Sequence, residues 1–304
     1  MSRILVTGGA GFIGSHVADT FIKAGHQVGI IDNLSSGKRE NIPADAKFYE
    51  VDITDKKALQ RAFTEFKPEV VDHHAAQISV NRSVREPYFD AEMNILGTIN
   101  LLETSVRHDV GRFIFASTGG ALYGDAPVIP SPEDTPVIPL APYGIAKASV
   151  EHYIRFFSQE HSIEAVILRY ANVYGPRQDP HGEAGVVAIF SLRTLAGERC
   201  TIYGTGEQTR DFVYVKDIAR ANLLAVDGKQ GTYNIGTGKE TSINALAEEF
   251  RKIKTDLVID KDAARPGEVA RSALDAGKAK NDLGWASEMS LSDGIAETYE
   301  WFKG

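Results

Sequence analysis

Residues 3–25, RILVTGGAGFIGSHVADTFIKAG, contain the pattern that decides the fold of this chain. Residues 4–6 form a short apolar run, which is typical of a buried parallel strand. Four of the eight residues at 7–14 are glycines, and apolar residues at helical spacing follow over 16–24. A strand, a glycine-rich turn and a helix in this order form a phosphate cradle, because the positive end of the helix faces the phosphates.

Each glycine of the triplet has a separate task in this interpretation. Gly8 lets the chain turn tightly off the strand, Gly11 lets the backbone approach a pyrophosphate, and Gly14 lets the helix pack against the strand. The spacing is Gly-x-x-Gly-x-x-Gly and not the usual Gly-x-Gly-x-x-Gly, so a plain tight turn is the alternative. A second strand, over 26–31, favours a dinucleotide because it leads into Asp32, an acid placed to bind the adenosine ribose hydroxyls. The same carboxylate repels a 2′-phosphate, so the sequence predicts NAD and not NADP.

The composition is ordinary for a soluble protein and has an acidic balance. Of the 304 residues, 43% are hydrophobic and 24% charged, and the formal net charge is −8. No long basic run is present, so neither nucleic acid nor an anionic membrane is an expected partner. The chain opens directly into a strand and contains no apolar run of membrane-spanning length, so we expect a cytoplasmic protein. The one cysteine, Cys200, excludes an internal disulfide and a cysteine-rich metal site.

Apolar runs alternate with helix-length segments through the first half of the chain. This alternation predicts a parallel sheet with helices on both faces, in which ligands bind at the carboxyl ends of the strands. We therefore predict an α/β fold with a doubly wound parallel sheet, the Rossmann arrangement, over 1–172. A smaller substrate-binding region is predicted over 173–304, with some segments returning to the large domain. Further strands are predicted at 47–51, 69–72, 112–116 and 165–168, and further helices at 56–66, 88–108, 143–160 and 291–302.

Short clusters follow two of these strands and fall at the ligand-binding edge. The Asp-Ile pair at 52–53 would flank an adenine base, although a helix N-cap at its aspartate or at Thr54 explains it equally well. His73 and His74 point to opposite faces of a strand and have no third ligand nearby, so no metal site is predicted. The two alanines at 75–76 are small enough to let the chain pass close to a dinucleotide.

A tyrosine and a lysine lie four residues apart at the start of the predicted helix over 143–160. Positions i and i+4 share a helix face, so Tyr143 and Lys147 both point towards the preceding strand ends. A free tyrosine has a pKa of about 10, and a nearby ammonium together with a nicotinamide cation would favour the phenolate. Thr118 would share the hydrogen bond to a substrate hydroxyl. The alternative is a chance pair on an exposed helix, which the glycine turn upstream disfavours.

Together these motifs resemble the extended short-chain dehydrogenase/reductase superfamily and, within it, the UDP-glucose 4-epimerases. The resemblance is carried by TGGAGFIG at 7–14, Asp32, HHAAQ at 73–77, the Thr118, Tyr143 and Lys147 set, and RYANVYGPR at 169–177. It covers essentially the whole chain, and it implies NAD as a held cofactor and a UDP-sugar as the substrate. The implied cofactor contacts are Gly8, Gly11, Phe12, Ile13, Asp32, Asn33, Leu34, Ser35, Ser36, Gly37, Asp52, Ile53, Ala75, Ala76, Gln77, Asn94, Tyr143 and Lys147.

The resemblance also implies the reaction, an inversion at C4 of the sugar. Tyr143 takes the proton of the 4-hydroxyl while C4 gives a hydride to NAD, the 4-keto sugar rotates within the pocket, and the hydride returns to its other face. Thr118 and Lys147 complete the catalytic set. Many relatives have one fewer residue between this threonine and the next Tyr-Gly, and Gly119 and Gly120 mark the departure. The implied substrate contacts are Thr118, Tyr143, Asn172, Val186, Val187, Arg210, Arg265, Glu268 and Ser272.

Other functions on the same fold are the alternatives. Family dehydratases carry Asp-Glu just after the threonine and decarboxylases carry a glutamate there, whereas this chain has Gly119, Gly120 and Ala121, which cannot transfer a proton. A UDP-glucuronate 4-epimerase stays open because it differs mainly in a carboxylate contact. A non-catalytic NAD-sensing regulator is disfavoured, because it has no need of the Tyr143 and Lys147 pair.

Two further expectations come from the resemblance. Ser272 falls where a residue lines the sugar pocket, and its small side chain predicts that N-acetylated UDP-sugars are also accepted; an exposed loop serine is the alternative. The predicted helices over 88–108 and 143–160 match those that pair two subunits into a four-helix bundle in related enzymes. We therefore expect a homodimer, with a purely intramolecular helix core as the alternative.

Overall fold

The structure is a computed structural model that describes residues 1–181, 185–264 and 269–304. The strands are β1 (Arg3–Thr7), β2 (Gln27–Asp32), β3 (Lys47–Glu50), β4 (Val70–His73), β5 (Arg112–Thr118), β6 (Glu164–Tyr170), β7 (Asn172–Tyr174), β8 (Cys200–Tyr203), β9 (Thr209–Arg210), β10 (Phe212–Tyr214), β11 (Gly231–Ile235), β12 (Thr241–Ser242) and β13 (Ile259–Asp262). The helices are α1 (Phe12–Lys23), α2 (Lys56–Phe66), α3 (Val80–Arg85), α4 (Pro87–Ala91), α5 (Gly97–Arg107), α6 (Pro142–Glu160), α7 (Val186–Ala196), α8 (Val215–Asp227), α9 (Ile243–Ile253), α10 (Gly277–Leu283) and α11 (Leu291–Lys303), with a 3₁₀ turn at Arg39–Asn41 and a π-helical turn at Glu92–Leu96.

A parallel sheet forms the centre of the large lobe. Within the described residues it has seven strands in the order β3-β2-β1-β4-β5-β6-β11. Val6 of β1 lies opposite Ile30 of β2 on one side and Asp72 of β4 on the other. The strand order reverses between β1 and β4, and ligands bind in the crevice at such a switch point. The predicted doubly wound parallel sheet is confirmed.

Apolar layers cover both faces of this sheet. Ile4 and Val6 point into a cluster with Phe21 of α1, whereas Leu5 points into a second cluster with Phe63 of α2. Because successive side chains of a strand face opposite ways, a strand buried on both faces needs a continuous apolar run. That requirement explains the sequence of β1.

A third apolar cluster forms the core of the smaller lobe. It brings together Phe190 of α7, Cys200 of β8 and Phe250 of α9. Other segments beyond residue 172 belong to the large sheet instead, since Ile218 of α8 and Tyr233 of β11 pack in the same cluster as β1. The chain therefore crosses between the lobes, and a boundary at 172 stays a prediction.

Two helices differ from the predicted bounds in ways that matter for the site. Helix α1 begins at Phe12, with Gly11 as its N-cap, so its first turn is part of the glycine-rich turn itself. The helix predicted over 88–108 contains the π turn at Glu92–Leu96 between α4 and α5. A Cβ on Gly97, just after that turn, would lie 2.7 Å from Cδ1 of Ile53. The glycine thus allows α5 to lie directly against Ile53, in the loop after β3.

Among the helices of the described residues, none has both the length and the apolar character required to cross a bilayer.

Candidate active site

The glycine turn between β1 and α1 is built as the sequence predicts. Gly8 has a φ of +69°, and its N–H donates to the carbonyl of Ile31 at 2.8 Å. A Cβ on Gly8 would lie 2.6 Å from the backbone nitrogen of Ala75, and a Cβ on Gly14 would lie 2.3 Å from the carbonyl oxygen of Gly8. Side chains at either position would push apart the turn, the helix and the strand end beneath them. Gly14 therefore packs mainly on the turn, not on the strand as we expected.

Two adjoining cavities follow the carboxyl ends of the strands. The first, of about 210 Å³, extends from Asp32 past the glycine turn to Tyr143 and Lys147. The second, of about 490 Å³, continues outward and adds Asp52 and Gln77. Of the predicted cofactor residues, Leu34 and Asn94 line neither cavity. The first cavity brings together Gly8, Gly11, Phe12, Ile13, Asp32, Asn33, Ser35, Ser36, Gly37, Ile53, Ala75, Ala76, Tyr143 and Lys147.

Asp32 is held rigidly at one end of the first cavity. Its side chain is 7% exposed, and its two oxygens accept hydrogen bonds from the backbone N–H groups of Ala10, at 3.0 Å, and Leu34, at 2.8 Å. A Cβ on Gly37 would lie 2.8 Å from the same carboxylate. Burial raises the pKa of Asp32, and the two backbone hydrogen bonds oppose that shift. Leu34 thus acts through its backbone, which orients the acid.

Asp52 supports the neighbouring loop and also lines the second cavity. Its carboxylate accepts hydrogen bonds from Asn33 Nδ2 at 2.7 Å, from Thr54 N at 2.8 Å and from Thr54 Oγ1 at 2.6 Å. Burial alone would raise the pKa of Asp52, but the hydrogen bonds from Thr54 and Asn33 hold it below its ordinary value. The N-cap of α2 is Asp55, so the capping alternative for Asp52 and Thr54 is wrong.

Asn94, in the π turn, secures the loop after β4. Its Oδ1 accepts from Gln77 N at 2.9 Å, and its Nδ2 donates to Gln77 O at 2.9 Å and to Asp90 Oδ1 at 3.0 Å. Gln77 Nε2 also donates to Asp90 Oδ1, at 2.8 Å. The amide of Asn94 is thus committed to the protein, and a direct contact with a cofactor stays a prediction. Asp90 was not identified from the sequence, because only the fold brings it to this loop.

The two adjacent histidines have different structural roles. His73 is 1% exposed, and its ring nitrogens lie 2.7 Å from Thr7 Oγ1 and 2.9 Å from Thr98 Oγ1. Burial lowers the pKa of His73 well below its ordinary value, so its ring is neutral. His74 points to the other face, where its Nε2 lies 2.9 Å from a carboxylate oxygen of Asp72. Within the described ranges, no three His, Cys, Asp or Glu side chains are grouped so as to hold a metal ion.

Tyr143 and Lys147 lie on the first two turns of α6 and both line the first cavity. Pro142 opens this helix, a favoured position for proline. The backbone N–H of Tyr143, which has no partner within the helix, donates to Ser83 Oγ at 3.1 Å. Lys147 is 5% exposed, and its Nζ donates to the carbonyl of Ala116 at 2.8 Å.

The electrostatics of this pair differ between the free protein and the expected reacting state. Burial raises the pKa of Tyr143 above its ordinary value, and the charge of Asp90 raises it further. Burial lowers the pKa of Lys147 to about 8, against the opposing charges of Asp90 and Glu151. At neutral pH the free protein therefore has a protonated phenol beside a largely protonated amine. Burial therefore favours the neutral phenol in the free protein, and the charge of Lys147 does not reverse this shift.

Thr118 ends β5, and its Oγ1 accepts a hydrogen bond from Ala121 N at 3.3 Å. Of the two glycines that follow, Gly119 is required by close packing, whereas a side chain at Gly120 would make only an ordinary contact. A Cβ on Gly119 would lie 2.4 Å from Cδ1 of Leu274, and one on Gly120 would lie 3.6 Å from Oδ1 of Asn172. The segment around Leu274 therefore passes directly over the end of β5. That passage is the physical reason for glycine at Gly119.

Three predicted substrate residues lie on segments that contact this packing, although neither they nor Thr118 line the two cavities. Asn172 opens β7, and its backbone N–H donates to the carbonyl of Asp211 at 2.9 Å. Asp211 follows Arg210 of β9, and its Oδ2 accepts from Leu274 N at 3.2 Å. Ser272, two residues before Leu274, is half-buried in this segment.

The remaining predicted substrate residues have a different status. Val187 is fully buried in the core of the smaller lobe, and Val186 packs against that core. Their side chains are thus directed into the lobe, which leaves the backbone at the start of α7 for any ligand contact. Arg265 and Glu268 lie outside the described residues.

A buried ion pair links α6 to the central sheet. Arg169 of β6 and Glu151 of α6 are 3% and 1% exposed. Arg169 Nε and Nη2 donate to the two carboxylate oxygens of Glu151, at 2.9 and 2.6 Å. Ser117 Oγ also donates to Glu151, at 2.7 Å, and Arg169 Nη1 donates to the hydroxyl of Tyr123 at 2.8 Å. The network ties α6 to the ends of β5 and β6.

Comparison with known proteins identifies the family. Residues 4–236 match the NAD dependent epimerase/dehydratase family. The chain belongs to this family. UDP-glucose 4-epimerase of Mycolicibacterium smegmatis is 42% identical over 309 residues, which cover 99% of this chain and 98% of the relative. The chain is therefore an isomerase of the UDP-glucose 4-epimerase type, and its cofactor is NAD.

Solved structures agree with this assignment over the whole fold. A UDP-glucose 4-epimerase from Thermotoga maritima, solved with UDP-glucose, is 51% identical with a TM-score of 0.97, covering 99% of this chain and 98% of that one. A UDP-glucose 4-epimerase from Thermus thermophilus, in complex with NAD, is 44% identical with a TM-score of 0.95, covering 99% of each chain.

The residues of this chain fit the dinucleotide. A glycine turn and the first turn of α1 line the middle of the first cavity, which suits a pyrophosphate, and a buried, oriented carboxylate at Asp32 suits two ribose hydroxyls.

Part of the lining of the first cavity was not predicted from the sequence. The missed residues share a position at or just after strand ends, or lie on the helices facing them, so the strand assignment was the signal available for most of them. They are Ile31, Val51, His74, Ile78, Met93, Ala116, Ser117 and Tyr170.

Proposed function

We propose that this protein inverts C4 of a UDP-sugar, with UDP-glucose and UDP-galactose as its main pair. The observation that carries the proposal is that Tyr143 and Lys147 both line the cavity that begins at Asp32. When bound there, NAD supplies the acceptor for the C4 hydride and the means to return it. The chain itself supplies the acid–base group, a hydrogen bond to the sugar 4-hydroxyl and the side chains that bind the diphosphate.

In this proposal Tyr143 exchanges the proton of the sugar 4-hydroxyl. Its pKa is raised in the free protein, so the phenolate depends on the Lys147 ammonium and on a cationic cofactor ring beside it. Thr118 holds the same hydroxyl at the end of β5. Arg210 binds the diphosphate, because a guanidinium offers paired donors to phosphate oxygens. Arg265 is proposed for the same task, so that the 4-keto sugar turns over while its diphosphate stays held.

The direct test is to incubate the purified protein with a panel of UDP-sugars and to follow C4 inversion by NMR. We expect interconversion of UDP-glucose and UDP-galactose. Inversion confined to UDP-glucuronate would favour the uronate epimerase instead. Bound NAD without turnover of any sugar nucleotide would contradict an epimerase and favour the NAD-sensing regulator. Gly119, Gly120 and Ala121 supply no proton-transferring group next to Thr118, so no dehydrated product is expected.

The cofactor preference is tested by Asp32→Ala. The variant loses charge-assisted hydrogen bonds to ribose hydroxyls, so we expect the Kd for NAD to rise on the order of 10–100-fold and the discrimination against NADP to fall. Isothermal titration with both dinucleotides measures the two effects. Glu50→Ala, which removes an exposed acid from the neighbouring β3, is the control and should change neither. NADP bound to the wild-type protein as purified would contradict the argument.

The breadth of the sugar pocket is tested by Ser272→Tyr. The segment of Ser272 packs over Gly119 at the end of β5, so a phenol ring there would occupy the space of an acetamido group. Overpacking costs about 1–3 kcal/mol, and we expect a selective loss of UDP-N-acetylglucosamine turnover of roughly 10–100-fold. Ser272→Ala is the control and should keep both activities. An equal loss of both activities in the tyrosine variant, or no loss, would show that Ser272 is not the gate.

We also propose that the protein is a homodimer paired through the helices near the active site. Leu96, Tyr153 and Phe156 are 52%, 42% and 54% exposed, which leaves apolar surface on the π turn and on α6. We expect a dimer by sedimentation at micromolar concentration and a monomer for Phe156→Glu. Trp301→Glu, which places the same charge on an exposed residue of α11, should remain dimeric. A monomeric wild-type protein would refute the proposal.

A further inference from the structure

Asp90 is a buried carboxylate next to the catalytic pair that has no role in the reaction proposed above. It lies near the end of α4, immediately before the π turn, and is 1% exposed. One oxygen, Oδ1, accepts hydrogen bonds from the side-chain amides of Gln77, at 2.8 Å, and Asn94, at 3.0 Å. Both donors are neutral, and a buried carboxylate is costly unless a positive charge compensates it.

The compensating charge lies on α6, against which α4 and the π turn pack. Burial raises the pKa of Asp90, while the charge of Lys147 opposes that shift. The effect is mutual, because Asp90 supports the protonated form of Lys147 against burial. Both side chains are buried, at 1% and 5% exposure, on elements that pack together, so a charge on either is only weakly screened from the other.

Glu151 is the other carboxylate whose charge acts on Lys147, and it has a cationic partner of its own. Glu151, one turn further along α6, is engaged by Arg169 through two hydrogen bonds. His73 is neutral because burial lowers its pKa. His74 is paired with Asp72 on the opposite face of the sheet. Asp90, by contrast, accepts hydrogen bonds from two uncharged side-chain amides among the described residues.

We propose that Asp90 is a positioning residue for the acid–base chemistry, which keeps the Lys147 side chain in its ammonium form through neutral pH. The inference rests on the proposed function in one respect, namely that Tyr143 is the base that this ammonium serves. Asp90 also opposes a phenolate directly, since it raises the pKa of Tyr143. The phenol therefore stays protonated in the free protein, and the lysine is ready when a cationic ring enters the cavity.

These two actions predict a particular change in pH dependence. Lys147 loses its proton as the pH rises through its folded pKa, about 8 in the wild type. Without the Asp90 charge both Lys147 and Tyr143 should lose their protons at lower pH, so both limbs of a bell-shaped kcat/KM profile should move in the acid direction. A purely structural role of Asp90 would lower the profile without moving it.

The suitable variant is Asp90→Asn. An asparagine retains Oδ1 as the acceptor for Gln77 and Asn94, so the loop after β4 can keep its hydrogen bonds while the charge is removed. Asp90→Glu restores a charge near the same place and should restore the wild-type titration. Glu86→Gln, which removes an exposed charge from the same stretch of chain, is the matched control and should leave Lys147 unchanged.

The primary measurement is the pKa of Lys147 itself, in protein as purified, by NMR of lysine labelled with ¹³C at Cε. Lys147→Arg assigns the resonance. We expect the pKa of Lys147 to be lower by roughly one unit in Asp90→Asn than in the wild type, at the lower end of what a nearby opposite charge produces. The same titration in wild type and Asp90→Asn would overturn the inference, as would a shifted titration in Glu86→Gln.

The second measurement is the pH profile of kcat/KM with UDP-glucose. Profiles that move to lower pH in Asp90→Asn and return in Asp90→Glu support the inference, whereas a profile lowered without movement contradicts it. The two proposals fail separately. A wild-type protein that turns over no sugar nucleotide overturns the proposed function, yet the titration of Lys147 still decides the role of Asp90.

Discussion

Replacing Tyr143 with phenylalanine is expected to reduce kcat by about 100-fold or more, since loss of a positioned acid–base group typically costs 10²–10⁴-fold. In the proposed reaction the hydroxyl of Tyr143, which lines the first cavity, exchanges the proton of the sugar 4-hydroxyl. The fold should survive, because the ring still fills its place on α6 and its backbone N–H still donates to Ser83. Steady-state kinetics with UDP-galactose measure the loss.

Two controls make the result for Tyr143→Phe specific. Tyr153→Phe removes a hydroxyl from an exposed position of the same helix and should leave kcat unchanged. The NAD content of Tyr143→Phe, measured after denaturation, should equal that of the wild type. A variant that keeps more than about a tenth of wild-type activity would fall short of the 10²-fold loss expected of a general base, and it would overturn the assignment.

The largest effect on stability is expected from Arg169→Met. The substitution removes the bidentate partner of Glu151 and leaves that carboxylate buried with Ser117 as its remaining close donor from the sheet. Breaking a buried pair by removing one partner costs about 3–5 kcal/mol, so the urea midpoint should fall steeply. Arg155→Met is the matched control. Arg155 donates to the same carboxylate at 2.9 Å but is 41% exposed, and such a pair is worth about 0–1 kcal/mol.

Two further measurements separate charge from packing at this site. In Arg169→Met, changing Glu151→Leu as well should recover part of the lost stability, because no charge is then buried alone. Burial alone would raise the pKa of Glu151, but Arg169 holds it below its ordinary value. The stabilisation from this pair is therefore present above the unfolded pKa of about 4.3 and is lost as the pH falls through the folded value. Equal losses in the two arginine variants would contradict this account.

The parts of the site that could be predicted are those whose chemistry is local in sequence. The turn at Gly8, the acid at Asp32 and the pairing of Tyr143 with Lys147 each follow from a short motif and a strand or helix period. These are also the positions where one glycine conformation or one helical turn fixes the geometry. Local reasoning therefore identified residues that the structure brings together in the first cavity, from Asp32 to the start of α6.

The parts that were missed depend on contacts between distant segments. Gly119 is glycine because Leu274 packs on it. No sequence pattern near either residue predicts that contact. Lys147 bonds the carbonyl of Ala116 in the free protein, which the helical spacing alone cannot show. The electrostatic direction at Tyr143 likewise depends on burial and on Asp90. Burial and remote charge are properties of the completed fold, so the sequence pattern did not contain them.

The π turn at Glu92–Leu96 lies within one continuous helical segment, so side chains before and after it point in different directions. An α-helix advances about 100° per residue, so the wider loop of a π turn rotates everything beyond it relative to everything before it. Before the turn, Asp90 is aimed at the loop that borders the cavity. After the turn, Thr98 reaches His73 beneath the sheet. Deleting one residue within the turn would align the helical periods of the two halves. The segment could then contact either the loop that borders the cavity or His73, but not both.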